Sequence, residues 1–145
     1  MTSTEERVAE ARRLAVADPA AHTADLAGAL GALGRECAAR GDRGRAIVVT
    51  TEAVEVYREL AGEDPPRYTP SLADELGQLS DLLALAGEHT PARVAAAEAV
   101  RILRTLGPGA ALADALDRLG ARLAALGQHA MSATAAAEAA AIRGG

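Results

Sequence analysis

The sequence predicts an all-α protein, an α-solenoid of about seven helices stacked as antiparallel helix pairs. Half of its 145 residues are hydrophobic, and these are mostly Ala, Leu and Val, so the composition favours helices. No segment shows the alternation of polar and apolar residues that marks a strand. The chain also repeats itself at a nearly fixed period, which is typical of arrays in which each unit buries its apolar face on its neighbours.

The repeat appears when the sequence is shifted against itself. Three segments recur after 46 residues: 6–19 in 52–65, 26–41 in 72–87, and 52–60 in 98–106. The segment 72–89 recurs after 40 residues, in 112–129. The second period is shorter because the linker after the fifth helix is six residues shorter than the linker after the third helix.

Caps, apolar stripes and chain breakers predict three helices in the first half of the chain, over residues 4–17, 23–40 and 43–61. Ser3 and Glu6 form a capping-box pattern at the start of the first helix. The second helix has one apolar stripe at helical spacing: Leu26, Leu30, Leu33 and Cys37. Residues 62–70 are dense in Pro and Gly, and we therefore expect a loop there.

The same signals predict four helices in the second half, over residues 70–87, 91–106, 111–126 and 129–143. Pro70 or Ser71 is expected to open the fourth helix. Its stripe repeats that of the second helix: Leu72, Leu76, Leu79 and Leu83. Gly107-Pro108-Gly109 separates the fifth helix from the sixth.

A recurring pattern marks the turn inside each helix pair. Leu33-Gly34, then Gly41-Asp42 and then Ala46 recur as Leu79-Ser80, Gly87-Glu88 and Ala92, and in part as Leu119-Gly120 and Gly127-Gln128. This pattern resembles the tetratricopeptide repeat (TPR), and its length is similar to that of the long bacterial and kinesin light-chain repeats. The resemblance implies one domain over residues 1–145, with a half-repeat (4–18) and three repeats at about 23–62, 70–106 and 110–143.

The resemblance also implies a function. TPR arrays serve as protein–protein interaction scaffolds, commonly as adaptors that bind a peptide or protein segment in a concave groove, and the resemblance implies no enzymatic activity and no cofactor. In the family, each repeat is a pair of helices, and the first helix of each pair lines the groove with the side that lies opposite its buried leucines. The first helices of this chain are its second, fourth and sixth helices. In this chain the candidate groove residues are Arg35, Asp74, Gln78, Asp81, Asp114, Asp117 and Arg118.

Two interpretations of these polar residues stay open. They form either a mildly acidic groove for a partner with basic or amide groups, or a solvated helix face, where charge belongs in any case. Gly31 and Gly77 lie within the same helices, where Gly costs about 1 kcal/mol relative to Ala. They allow the close approach either of a ligand backbone or of a neighbouring helix, or they reflect base composition.

The seventh helix is apolar on nearly every side. We expect its outer face, around Met131, Ala135 and Ile142, to meet a partner or a second copy of the chain, or to pack against further repeats. Simple exposure of an alanine-rich surface is the alternative. Self-association as a homodimeric scaffold is therefore the second functional hypothesis, and a helical enzyme of unknown type is a remote third.

Other function classes find little support. The net charge is −5, and a basic stripe with stacking aromatics is absent, so we expect no nucleic-acid partner. No apolar run is long enough for a membrane span, and the N-terminus lacks a signal-peptide pattern. All 15 basic residues are Arg, which suggests a GC-rich bacterial genome, and we expect a cytoplasmic protein.

Metal ligation and cysteine chemistry are not expected either. The chain has three histidines that are far apart in sequence: His22, His89 and His129. No His-x3-His or Cys-x2-Cys spacing occurs, so no metal site is predicted. Cys37, the sole cysteine, lies on the apolar stripe of the second helix and is expected to be buried.

Overall fold

Seven α-helices account for most of residues 3–145, the part of the chain that the computed structural model describes: α1 (Thr4–Ala17), α2 (Pro19–Ala39), α3 (Arg43–Glu63), α4 (Pro65–Leu85), α5 (His89–Arg104), α6 (Ala110–Ala125) and α7 (His129–Gly144). Within these residues there is no strand, so the all-α prediction is confirmed. The helices form two compact units, unit 1 up to Glu75 and unit 2 from Leu76, and α4 contributes to both.

Side-chain caps start the first three helices. The capping box is present: Glu6 N–H donates to the Ser3 hydroxyl and Ser3 N–H donates to the Glu6 carboxylate. Asp18 accepts a hydrogen bond from the N–H of Ala21 (3.4 Å), so α2 begins at Pro19, four residues before the predicted start. The Asp-Pro pair therefore opens a helix, although the sequence pattern suggested only an end.

The expected loop over residues 62–70 is wrong, because α4 already begins at Pro65. Proline suits the first helical positions, since their N–H groups have no partner within the helix. Tyr68 N–H then donates to the carbonyl of Asp64 (3.2 Å), and the helix continues through Pro70. Pro70 forgoes one backbone hydrogen bond, but Thr69 beside it is buried, so packing holds this segment in the helix.

One turn recurs at the ends of α2, α4 and α6. Each turn has a glycine with positive φ, at 81°, 82° and 76°: Gly41, Gly87 and Gly127. The N–H of the next residue donates back to a carbonyl near the helix end, at 2.8 to 2.9 Å in every case. These carbonyls belong to equivalent residues of the sequence repeat: Cys37, Leu83 and Leu123. The sequence repeat is thus also a structural repeat.

In unit 1, α2 packs against both α1 and α3. Leu30 and Cys37 are fully buried, as predicted. The crossing of α2 and α3 is close at Gly34, where an added Cβ would lie 2.5 Å from the Thr50 hydroxyl oxygen. Small residues at this crossing are therefore a packing requirement.

In unit 2, α6 packs against both α5 and α7, and Leu76 and Leu116 are fully buried. Serine hydroxyls link the helices at equivalent crossings: buried Ser80 donates to the carbonyl of Ala92, and half-buried Ser132 donates to the carbonyl of Gly120, both at 2.8 Å. Ser132 lies at the repeat position equivalent to Ala92, and its hydroxyl forms a hydrogen bond between α7 and α6. Among residues 3–145, no helix combines the length and apolar character that crossing a bilayer requires.

Candidate functional site

One carboxylate of α4 and two guanidinium groups of α6 form a connected group in unit 2. Asp81 of α4 accepts hydrogen bonds from two guanidinium groups of α6: Arg118 Nε at 3.0 Å and an Arg122 terminal nitrogen at 2.9 Å. Both nitrogens bond the same carboxylate oxygen, Oδ1. The two arginines lie one helical turn apart on α6 and therefore point the same way.

Gly77 explains how Arg118 reaches this position. A Cβ added at Gly77 would lie 2.7 Å from an Arg118 guanidinium nitrogen. The bare backbone of α4 therefore accommodates the guanidinium of the neighbouring first helix. The close approach at this glycine is made by an arginine of the chain itself.

Asp114 and Asp117 share a partner that the sequence did not suggest. Arg143, near the end of α7, donates to Asp114 at 2.7 Å and to Asp117 at 2.6 Å. The end of α7 thus lies beside the start of α6, as expected for an antiparallel pair. These two groups of ion pairs, which share helix α6, are together called the polar cluster of unit 2. Their three carboxylates and three guanidiniums have formal charges that cancel: Asp81, Asp114, Asp117, Arg118, Arg122 and Arg143.

The structure thus groups some candidate residues and separates others by partner. Asp81 and Arg118 are bonded to each other, whereas Asp114 and Asp117 bond to α7. Gln78 is half-buried beside Gly77 on α4. The expectation of a mildly acidic surface did not include Arg122 and Arg143, which balance the carboxylates of this cluster.

Unit 1 contains the other two candidates, Arg35 and Asp74. Asp74 is exposed, while its neighbour Glu75 is buried, with 3% of its surface exposed. Arg35 donates to Glu75 Oε1 at 3.0 Å, and the second oxygen, Oε2, is buried without a hydrogen-bond partner. Burying an unsatisfied carboxylate oxygen is costly.

Glu75 is a further polar residue that the sequence interpretation missed. A Cβ added at Gly31 would lie 2.4 Å from its carboxylate oxygen, so Gly31 accommodates Glu75 as Gly77 accommodates Arg118. The available signal was the glycine itself, since a Gly in mid-helix leaves room for a group from a neighbouring element. Both glycines therefore serve packing between first helices, one of the alternatives left open above.

The pKa values in unit 1 follow from burial and pairing. Burial raises the pKa of Glu75, and the neighbouring Arg35 opposes the shift only in part. Burial also raises the pKa of Tyr57, against a hydrogen bond with Ser71. By contrast, the hydrogen bond from Arg12 lowers the pKa of Glu52.

Replacing Glu75 with Gln is expected to stabilise the fold at neutral pH. Because folding raises its pKa, charged Glu75 opposes folding above that pKa, and the effect fades as the pH falls toward the ordinary Glu value near 4.3. We expect the variant to melt about 3 °C higher at about pH 7, for roughly 1 kcal/mol, and to match the parent at about pH 4.

Glu52→Gln is the control with the opposite sign. Its pKa is lowered, so its stabilising charge is present at neutral pH and is lost as the pH falls through that lowered value. The variant should melt below the parent at neutral pH and converge with it in acid. Thermal melts of the three proteins across pH decide the matter; a lower melting temperature for Glu75→Gln at neutral pH would contradict the assignment.

Ion pairs also join the second helices of neighbouring helix pairs, and they recur at equivalent positions of the repeat. Arg12 of α1 makes a two-pronged pair with Glu52 of α3 in unit 1, and Arg104 of α5 makes the same pair with Glu138 of α7 in unit 2. The positions are related by the sequence repeat. Such pairs fix the register of two helices, although each contributes little at the surface.

The predicted interface on α7 is only partly exposed. Met131 is 57% exposed and Ile142 is half-buried, but Ala135 is 6% exposed and packs within unit 2. Ala135 is therefore corrected to a core residue. Beside it, a cleft of about 230 Å³ has a floor of α6 leucines: Leu116, Leu119 and Leu123.

Titratable groups elsewhere do not cluster as metal ligands do. Within residues 3–145, no three His, Cys, Asp or Glu side chains lie close enough together to hold a metal ion. The imidazole of His22 faces Asp25 at 3.4 Å, one turn along α2.

Comparison with known proteins yields a fold likeness. No protein-family model matches the chain, and no curated protein matches it. The chain is similar to the crystal structure of BtubC (BKLC) from P. vanneervenii, with a TM-score of 0.71 and 22% sequence identity over 96% of this chain and 54% of that chain. The chain therefore spans about half of that protein. The likeness supports a TPR-like helical repeat fold.

Proposed function

We propose that the chain is a protein-interaction module that binds a peptide or protein segment on the polar faces of its first helices. Several features support the proposal: the TPR-like repeat fold, the polar faces of α4 and α6, and the partial exposure of their carboxylates. In unit 2 the proposed contact residues are Gln78, Asp81, Asp114, Asp117 and Arg118. In unit 1 they are Arg35 and Asp74.

The polar cluster of unit 2 is the observation that carries this proposal. The Asp114 side chain is 70% exposed and bonds Arg143 through one oxygen only, so its second oxygen remains available to a donor. Because the charges of the cluster cancel, we expect a partner to be held by short-range hydrogen bonds to its Arg, Lys or amide groups, with little long-range attraction.

Reversing Asp74 and Asp114 to Arg is expected to abolish partner capture. Both side chains are exposed, so the melting temperature should change little, whereas the contact with basic groups becomes repulsive. The measurement is retention of proteins from native lysate on the immobilised parent and variant, quantified by mass spectrometry.

The matched control reverses two exposed carboxylates outside the first helices, Glu55 of α3 and Glu88 before α5, for the same change in net charge. Proteins retained by the parent and by this control, but lost from the Asp74/Asp114 variant, would support the proposal. If the parent, the Asp74/Asp114 variant and the control all retained the same proteins, the polar faces of the first helices would be solvated surface and would not be the binding site.

A second candidate function is self-association through α7, favoured by the exposure of Met131 above the leucine-floored cleft. A second copy would bury this apolar side chain. The parent is then expected to be dimeric at micromolar concentration, and Met131→Glu with Ile142→Arg is expected to be monomeric with unchanged helix content. Light scattering tests this, and a monomeric parent at every accessible concentration would exclude the interface.

A further inference from the structure

An open cleft of about 520 Å³ lies in unit 1 at the junction of three helices. The start of α2, the end of α3 and the start of α4 supply its walls: Pro19, Ala20, Thr23, Glu59, Leu60, Glu63, Asp64, Arg67 and Tyr68. Arg67 and Tyr68 line it from the first turns of α4. Its volume falls within the range of small-ligand sites.

The charge of this cleft is unbalanced. Three exposed carboxylates line it, those of Glu59, Glu63 and Asp64, against the single guanidinium of Arg67, a formal excess of two negative charges. Among residues 3–145 the three carboxylates have neither a hydrogen-bond nor an ion-pair partner. Five other carboxylates of unit 1 are each paired with an arginine: Glu5, Glu10, Glu36, Glu52 and Glu75.

The aromatic wall already accommodates a guanidinium. Arg67 lies over the Tyr68 ring, with its central carbon 5.1 Å from the ring centroid. Although three carboxylates line the same cleft, Arg67 bonds none of them and stays on the ring. The cleft thus combines a ring that receives a planar cation with carboxylates that lack one.

We propose that this cleft is a binding site for an arginine side chain on an exposed segment of a partner protein. A guanidinium is planar and has five N–H donors, so it can stack beside the ring and bond carboxylates in pairs. The three unpartnered carboxylates supply the charge complementarity. None of the residues that line the cleft is a contact residue of the function proposed above, so the site does not depend on that function.

The test uses a defined probe, the peptide acetyl-Gly-Arg-Gly-amide, titrated into the full ¹⁵N-labelled chain. The expected result is a saturable shift of the amide signals of Thr23, Leu60 and Tyr68. Because exposed pairs and cation–π contacts are individually weak, we expect millimolar affinity that falls as salt is added. The matched probe replaces arginine with citrulline, which has nearly the same shape without the charge.

Variants then locate the binding. Glu59→Gln with Glu63→Gln should weaken the affinity roughly tenfold, and Tyr68→Leu roughly threefold. Glu55→Gln with Glu88→Gln removes the same net charge outside the cleft and should leave the affinity within about twofold. All these changes are at exposed or half-buried positions, so each variant is expected to fold.

Three results would overturn the proposal. One is the absence of shifts at the cleft up to about 10 mM peptide, far above the affinity expected for such contacts. Another is equal binding of the citrulline peptide. The third is an equal loss of affinity in the Glu55/Glu88 control, which would show attraction to the net charge of the chain alone.

Discussion

Replacing Leu76 with Asp is expected to unfold the chain or to lower its melting temperature by more than about 10 °C. Leu76 is 2% exposed in the core of unit 2, and an aspartate there would be buried without a partner. Loss of the leucine alone costs about 2–5 kcal/mol, and the buried carboxylate adds to that cost. Far-UV circular dichroism and a thermal melt measure the effect.

The control for this substitution lies on the same helix. Leu85 is 67% exposed near the end of α4, so Leu85→Asp makes the same chemical change without burying a charge. It should melt within about 2 °C of the parent. If Leu76→Asp also melted like the parent, the assignment of Leu76 and its repeat equivalents Leu30 and Leu116 to the core would fail.

The second large effect is expected at the crossing of α2 and α3. In Gly34→Ala, the new methyl would lie 2.5 Å from the hydroxyl oxygen of fully buried Thr50, so Thr50 must move within a tightly packed core. Overpacking of this kind costs about 1–3 kcal/mol, which exceeds the gain in helix propensity. Chemical denaturation should therefore show a less stable protein.

Two further variants make this prediction specific. Gly120→Ala is the same change at the equivalent position of α6, where the nearest atom to the new methyl is 3.4 Å away, so it should be neutral or stabilise by up to about 1 kcal/mol. Gly34→Ala combined with Thr50→Ala should recover most of the lost stability, because Thr50→Ala vacates the space that the methyl needs. Additive effects of the two changes would argue against the contact.

The sequence predicted what depends on local signals. Gly41, Gly87 and Gly127 lie where helices must end, and positive φ suits glycine, so these turns were located closely. The buried leucines followed from their spacing in the same way. Leu30 and its equivalents face the core because a helix has only one side on which this spacing repeats.

The start of α4 and the partners of the charged residues were beyond such reasoning. A proline disrupts a helix in its interior but suits its first turn. The sequence does not say which case applies to Pro65 and Pro66, whereas the structure shows that α4 begins at Pro65, just as α2 begins at the equivalent Pro19. The pairing of Arg143 with Asp114 depends on which helix ends meet. A helical stripe does not contain that information, so the charge balance of the polar cluster of unit 2 emerged only from the structure.

Cys37 gives the molecule a built-in reporter of its own opening. It is the only thiol in the chain, it is 2% exposed, and it belongs to unit 1. A thiol reagent can reach it only when α2 separates from its neighbours, so the labelling rate in native buffer measures that opening. Unit 2 has no thiol to contribute, so the opening of unit 1 around Cys37 can be followed in the unmodified protein.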